Sequence, residues 1–147
     1  TLTGAESARL LTALAPVLVL NINHLNLQKL HAQLVEMGLQ RRLGWLLDNT
    51  RLALLAESAE LSRPWALRYR RAALLIENWL AAFRVQSKEQ RTANTQPLDI
   101  IDSDIRSQST LDEVMATASD ISQRWRIATS VQPSDFASAL RAARADT

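Results

Sequence analysis

The sequence predicts an all-α fold in which five to seven helices surround a single core. The chain has 147 residues, the usual size of one domain, and 47% of them are apolar, as in globular proteins. Its 3 glycines and 4 prolines are too few for an all-β fold, which needs many tight turns. Long stretches consist mainly of alanine, leucine, arginine, glutamate and glutamine, all of which favour helices.

The first helix is predicted to begin at a capping box. Thr3 and Glu6 have the T-x-x-E spacing in which each side chain satisfies a backbone N–H group of the other residue. Pro16 lacks a backbone N–H and its ring clashes with the preceding turn, so we expect it to kink or end the helix. Residues 17–20 would then form a short extended piece.

The next two helices are predicted on either side of Gly38. Asn23 or Asn26 is suited to cap the first of them, because its side chain can accept hydrogen bonds from free N–H groups. Gly38 stands where a left-handed residue commonly ends a helix. The helix after it carries an apolar face formed by Leu39, Leu43, Leu46 and Leu47. We expect residues 48–50, Asp-Asn-Thr, to interrupt that helix or to cap a new one.

The clearest helical pattern runs from Pro64 to about Val85. Proline is favoured in the first turn of a helix, where its missing N–H costs no hydrogen bond. The helix has one wide apolar stripe formed by Ala72, Leu75, Ile76, Trp79, Leu80 and Phe83. Its opposite face carries Arg68, Arg70, Arg71 and Arg84. We expect this helix to lie near the centre of the fold.

A polar segment divides the chain into two parts. Residues 87–97 contain no large apolar side chain and predict a linker. It would join a helical core domain, residues 1–86, to a helical C-terminal segment, residues 98–147. That segment is predicted to pack on or beside the core, either as part of it or as a small subdomain after residue 97.

The C-terminal segment contains two predicted helices. Thr110 and Glu113 form a second capping box. The apolar face of the helix that it opens is formed by Leu111, Val114, Met115, Ala118 and Ile121. Residues 124–131 are ambiguous and fit an extended segment. Pro133 begins the last helix, with Phe136 and Leu140 turned inward.

Composition limits the location of the protein. Cysteine is absent, which excludes disulfides, thiolate metal sites and cysteine nucleophiles. The longest apolar run, residues 14–22, is too short to span a bilayer, and no basic segment of a signal peptide precedes it. We therefore expect a cytoplasmic protein that does not insert into a membrane.

No motif predicts a catalytic, metal or cofactor site. His24 and His31 are seven residues apart and lack the further ligands that a metal site needs. The glycines are isolated and form no phosphate-binding loop. Asp99, Asp102 and Asp104 lack the glycine and the terminal glutamate of a calcium loop, so they predict a solvated acidic turn.

Arginines are the candidate binding residues. Residues 1–91 hold 12 basic against 7 acidic side chains, whereas residues 92–147 hold 5 against 8. The arginines that could contact a nucleic acid or another anion are Arg41, Arg42, Arg51, Arg63, Arg68, Arg70 and Arg71. Between positions 63 and 71 they are interleaved with Trp65 and Tyr69, as in surfaces that bind phosphates and stack on bases. The alternative is a solvated helix face with Trp65 turned inward.

The helix–Gly–helix pattern of residues 30–47 allows a helix-turn-helix interpretation. Gly38, Leu39 and Leu47 fit that motif, whereas Gln33 and Gly44 stand where apolar residues are expected. Helical hairpins of this kind also commonly pack in a core, which is the alternative.

One segment resembles a known family. Residues 42–47, Arg-Leu-Gly-Trp-Leu-Leu, together with the leucines at 27, 30 and 34, are similar to a segment of the AbiEi antitoxins of bacterial abortive-infection toxin–antitoxin systems. Members of that family join an N-terminal winged helix, which represses their own operon, to a larger C-terminal domain. The resemblance covers residues 26–47 and supplies no site residues. No winged-helix pattern is visible in this sequence, and the sequence after Leu47 departs from the family.

Three functions are compatible with these patterns. The one that the sequence favours is a non-catalytic bacterial protein-interaction or oligomerisation module, such as the effector part of a transcriptional regulator or antitoxin. Its partner would be another protein or a second copy of the chain. The second is a nucleic-acid-binding helical domain that uses the arginines between positions 41 and 71. The third is an all-α enzyme or enzyme subunit whose ligands the sequence does not reveal.

Overall fold

The fold is all-α, as predicted. The structure, a computed structural model, describes residues 4–90, 98–101, 105 and 107–145. Within those ranges the helices are α1 (Gly4–Asn21), α2 (Leu27–Glu36), α3 (Gln40–Ser58), α4 (Arg63–Gln90), α5 (Gln108–Thr117), α6 (Asp120–Trp125) and α7 (Pro133–Ala145). Two short strands, β1 (Asp99–Ile100) and β2 (Ile127–Ala128), pair in parallel with Asp99 opposite Ile127.

Helix α1 continues through Pro16 to Asn21, so the predicted end at the proline and the extended piece at 17–20 are wrong. Tertiary packing explains the difference. Ala15 and Ile22, on either side of the proline, are both buried, and α1 packs against α7 and α3. Burial along both halves of the helix offsets the one backbone hydrogen bond that Pro16 cannot donate. Thr3 of the predicted capping box lies outside the described residues.

The turn between α2 and α3 confirms two predictions. Asn26 caps α2, because its side-chain oxygen accepts a hydrogen bond from the N–H of Lys29 at 3.0 Å. Gly38 adopts a left-handed φ of 72° just after the helix. The N–H of Gly38 bonds to the carbonyl of Val35, and that of Leu39 bonds to the carbonyl of Leu34. This pair of bonds is a Schellman motif, which turns the chain sharply into α3.

Helix α3, rather than α4, is the centre of the fold. It contacts α1, α2, α4, α6 and α7, whereas α4 packs chiefly on α3. Residues 48–50 neither interrupt nor cap it, and they are fully buried. The buried side chains of Asn49 and Thr50 donate to the carbonyls of Trp45 and Leu46, one turn earlier, so their donor groups are satisfied inside the helix.

Helix α4 begins at Arg63 with Pro64 in its first turn, as predicted, but ends later than expected. It continues to Gln90, so residues 87–90 of the predicted linker are helical, and residues 91–97 lie outside the described residues. Trp79 is buried, as its place in the apolar stripe predicts. Leu75 is 42% exposed, so the buried stripe is narrower than predicted.

The C-terminal segment packs on the core through its last helix. Phe136 and Leu140 are turned inward as predicted, and the ring of Phe136 meets Trp45 of α3 edge to face at 5.6 Å. The second capping box is wrong: Ser107 caps α5 by accepting a hydrogen bond from the N–H of Thr110. Helix α5 ends at Thr117, so Ala118 and Ile121 of the predicted apolar face lie beyond it, with Ile121 in α6. Among the described residues, no helix is long and apolar enough to cross a membrane.

Candidate interaction surface

The seven candidate arginines fall into two groups. Arg41, Arg42 and Arg51, on α3, are partly buried and bonded within the molecule. The four candidate arginines on α4 are exposed, and none forms an ion pair with a residue that the structure describes: Arg63, Arg68, Arg70 and Arg71. The structure therefore does not bring all seven together into one basic site.

The first turn of α3 is joined to the small sheet. Arg42 donates two hydrogen bonds of 2.8 Å to the carboxylate of Asp99 on β1. This bonding lowers the pKa of Asp99 below its ordinary range and raises the pKa of Arg42. Arg41 donates to the carbonyl of Arg126 at 3.4 Å. Asp99 is therefore part of a structural ion pair and not of a solvated turn, and Asp102 and Asp104 lie outside the described residues.

Arg51 belongs to a network around the buried carboxylate of Asp48. Asp48 accepts a hydrogen bond from the indole N–H of Trp125 at 3.0 Å and another from Arg51 at 3.0 Å. Arg124 lies 3.6 Å from the same carboxylate, and Arg51 reaches out to Glu77 at 3.5 Å. The network fastens α6 and α4 to the central helix and uses the charge of Arg51 in doing so.

The same part of α3 contains a close approach. The ring of Trp125 lies so near Gly44 that a Cβ at that position would overlap the indole. Gly44 and Asp48 are one helical turn apart, so the glycine admits the ring while the aspartate binds its N–H group. The glycine that fits poorly into a helix-turn-helix motif is therefore explained by packing.

The position of α3 also bears on the helix-turn-helix interpretation. A recognition helix presents the side chains of its N-terminal part to the major groove of DNA. Here the first turn of α3 is bonded to Asp99 of β1 and to the carbonyl of Arg126 just before β2, and the helix is buried along most of its length. The α3 half of the hairpin at residues 30–47 is thus part of the core, whereas α2 packs on it through partly buried leucines such as Leu30 and Leu34.

The outer face of α4 is the most distinctive exposed surface of the described chain. We define it by seven exposed residues at helical spacing: Arg63, Leu67, Arg68, Arg70, Arg71, Leu74 and Leu75. The three leucines have 41%, 57% and 42% of their surface exposed, in chain order. Residues 63, 67, 70 and 74 follow one another at steps of four, three and four, so cationic and apolar groups alternate along one stripe.

The aromatic residues between these arginines face away from solvent. Tyr69 is 2% exposed, and its hydroxyl accepts a hydrogen bond from Arg144 of α7. Trp65 is half-buried and packs edge to face against Tyr69 at 5.9 Å. The guanidinium of Arg68 lies 4.9 Å from the centre of the Trp65 ring and covers it. The buried ring of Tyr69 and the face of Trp65 beneath Arg68 are therefore not open to a stacking base.

The concavities of the molecule are shallow. One, of about 420 Å³, lies between α3 and α7 and is floored by alanines 53, 56 and 137. The Glu57 carboxylate at its edge is paired with Arg141 at 2.8 Å and with Arg144 at 3.3 Å. A second, of about 410 Å³, lies between the α1–α2 turn and Leu75 of α4. No group of three His, Asp or Glu side chains that could hold a metal occurs in the described part of the chain.

No protein-family model matches this chain, and no curated protein and no solved structure matches it either. Function must therefore be inferred from the surface itself. The sequence identified the four arginines of that surface but missed its leucines. A signal for two of them was present, because Leu67 and Leu74 are seven residues apart between arginines, but Leu75 fitted the buried stripe equally well.

Proposed function

We propose that this chain is a non-catalytic protein-interaction module whose docking surface is the outer face of α4. The observation that carries the proposal is the presence of three exposed leucines among four exposed arginines on one helix face. The partner presents apolar side chains flanked by carboxylates. An acidic amphipathic helix has this pattern and lies along α4 with its leucines against Leu67 and Leu74.

Both components of the surface favour a protein over a nucleic acid. Arginine and apolar groups are enriched at the centres of protein interfaces, where guanidinium groups bind carboxylates in pairs of hydrogen bonds. A phosphate backbone would satisfy the arginines, but it offers no apolar surface to the leucines. The burial of Tyr69 and the Arg68 guanidinium over Trp65 reduce the aromatic surface on which a single strand could stack.

The resemblance to AbiEi antitoxins extends this proposal. We infer that the module acts in the bacterial cytoplasm as the effector or oligomerisation part of a regulator of that kind. Residues 42–47, on which the resemblance depends, lie in the first half of the central helix, where Leu43 and Trp45 are buried. A relationship would therefore concern the scaffold, and the outer face of α4 would be where this chain selects its own partner.

A designed peptide tests the proposal directly. The probe is a fluorescent acidic helix with leucines at steps of three and four and glutamates beside them, and the control is the same composition in scrambled order. We expect the patterned peptide to bind at least about tenfold more tightly, a difference of about 1.4 kcal/mol. Replacing Leu67 and Leu74 together by serine should abolish that preference. Equal binding of the two peptides would mean that only net charge is recognised.

A salt series with duplex DNA distinguishes the nucleic-acid alternative, which the four exposed arginines also support. If the arginines contact phosphates, the double variant Arg68→Gln/Arg71→Gln should flatten the slope of log affinity against log salt by about two units, one per lost contact. If the surface docks a protein, the DNA affinity should be weak at physiological salt and the leucine variant should leave it unchanged.

A further inference from the structure

A second exposed surface of the molecule has a different chemical character. From Leu10 to Gln28 the chain contains no aspartate, glutamate, lysine or arginine. Four aliphatic residues in this stretch, which we name the α1 stripe, are exposed on α1: Leu10 (56%), Leu14 (45%), Val17 (55%) and Leu20 (79%). Steps of four and three join the first three, and Leu20 extends the same side, so the stripe occupies one face of the helix.

The opposite face of α1 packs against the core. Ala15 is fully buried, and Thr12 and Ile22 are each 8% exposed. These residues face the core, where α1 packs against α7 and α3. Helix α1 is therefore fixed on the core with the α1 stripe directed outward, and tethering of the helix does not require the stripe to be apolar.

We propose that the α1 stripe is the interface through which two copies of this chain form a two-fold symmetric dimer. A two-fold axis places the same surface on both sides of an interface, so a surface whose charges all have one sign meets that same sign on its partner. The outer face of α4 would oppose arginines to arginines in such an arrangement. The α1 stripe has no charge to repel, and its only chemistry is aliphatic area, which is complementary to itself.

The spacing of the stripe also suits pairing with itself. In an antiparallel pair about a two-fold axis, the middle of one stripe faces the middle of the other, and each end of one stripe faces the opposite end of the other. Leu14 and Val17 then lie nearest the axis, and Leu10 of one copy lies near Leu20 of the other. Aliphatic residues at steps of three and four form the ridges that interlock between packed helices. This surface shares no residue with the outer face of α4, and the two proposals are tested by different measurements, so either can fail without the other.

Sedimentation equilibrium over a range of about 1 to 100 µM, the range in which a dimer of moderate affinity dissociates, tests the proposal. We expect the wild-type chain to dimerise and Val17→Glu to weaken the dimer by at least about tenfold, because the new carboxylate would face its own copy. Val35→Glu is the matched control, since Val35 on α2 is the same residue type, lies outside both proposed surfaces and is 48% exposed against 55% for Val17. It should dimerise as the wild type does, and circular dichroism should show both variants fully folded.

Two results would overturn the proposal: a wild-type chain that is monomeric throughout that range, or a folded Val17→Glu variant that dimerises as tightly as the wild type. Single cysteines give a second measurement, because the chain has no cysteine of its own. Under oxidised glutathione, Leu14→Cys or Val17→Cys should form a covalent dimer faster than Val35→Cys, since a disulfide needs close Cα atoms. Equal or faster cross-linking at position 35 would also overturn the proposal.

Discussion

Helices α3 and α4 pack against each other, but their charged residues have opposite environments. In α3 the charged residues are turned into the molecule, where Asp48 is fully buried and Arg42 and Arg51 are bound to carboxylates. In α4 four arginines are exposed, with leucines between them. Because both helices are rich in leucine and arginine, composition does not distinguish a scaffold helix from one that presents a surface. The position of the helix in the fold does.

Breaking the network around Asp48 should have the largest effect on stability. Asp48→Ala removes the acceptor for Trp125 and Arg51 and leaves a guanidinium partly buried without its inner partner. We expect a loss of about 3 kcal/mol in urea unfolding, at the low end for a broken buried pair because Arg51 keeps its contact with Glu77. Glu77→Ala is the control and should cost less than about 1 kcal/mol, because that carboxylate is mostly in solvent. Equal losses of unfolding free energy in the two variants would mean that the buried carboxylate on α3 stabilises the fold no more than the exposed one on α4.

A methyl group at Gly44 should have the next largest effect. Gly44→Ala places a Cβ where the ring of Trp125 lies, so the indole must move or α6 must shift. The gain in helix propensity, about 1 kcal/mol, offsets part of the strain, and overpacking of a core typically costs about 1–3 kcal/mol. We expect net destabilisation by about 1 kcal/mol, with a change in the tryptophan fluorescence of the folded protein. The double variant Gly44→Ala/Trp125→Leu should show a smaller penalty from the alanine, and an unchanged penalty would place the strain elsewhere.

The sequence predicts the local features of this fold better than its tertiary ones. The cap at Asn26, the left-handed Gly38 and the helix start at Pro133 depend on neighbours within a few residues, and all three are found. The unbroken course of α1 through Pro16 depends on what its two halves pack against. No periodicity within one helix contains that information.

The candidate site also has features that the sequence predicts locally and features that depend on tertiary contacts. Exposure of the α4 arginines follows from a helix that has one apolar side, because an unpaired arginine is costly to bury. The pairing of Arg42 with Asp99 joins residues 57 positions apart, and that of Asp48 with Trp125 spans 77. Such pairs leave no local pattern in a single sequence. The sequence could therefore list arginines but could not say which of them the fold had already used.

The docking of α2 on α4 should depend on pH. The ring of His31 meets Trp79 and Phe83 edge to face at 5.5 and 4.7 Å, and its Nε2 atom is buried without a hydrogen-bond partner among the described residues. Burial lowers the pKa of His31 below the ordinary imidazole value. The unfolded chain therefore binds a proton at higher pH than the folded chain does, so stability should fall as the pH drops below about 6.5.

Urea unfolding at pH 7.5 and at pH 5.5 measures this effect, and the two histidines of the chain provide the control. His31→Leu should remove most of the difference between the two pH values. His24→Gln should leave the difference unchanged, because His24 is exposed at the end of α1. A pH dependence that disappears with His24 and persists without His31 would contradict this assignment.

The smallest effect should come from the arginines of α4, and it sharpens the contrast with α3 most directly. Arg68→Gln/Arg71→Gln removes two charges from an exposed face, where the described structure shows only the contact of Arg68 with the Trp65 ring. We expect a change of less than about 0.5 kcal/mol in unfolding free energy, the usual size for surface positions. Arg42→Gln, a single change on α3, should cost about 1 kcal/mol because it breaks both hydrogen bonds to Asp99, a pair that is itself partly solvated. If the double variant on α4 cost more than the single variant on α3, the outer face of α4 would be stabilising the fold. Its arginines would then have a structural reason to be there, and the proposed docking surface would lose its main support.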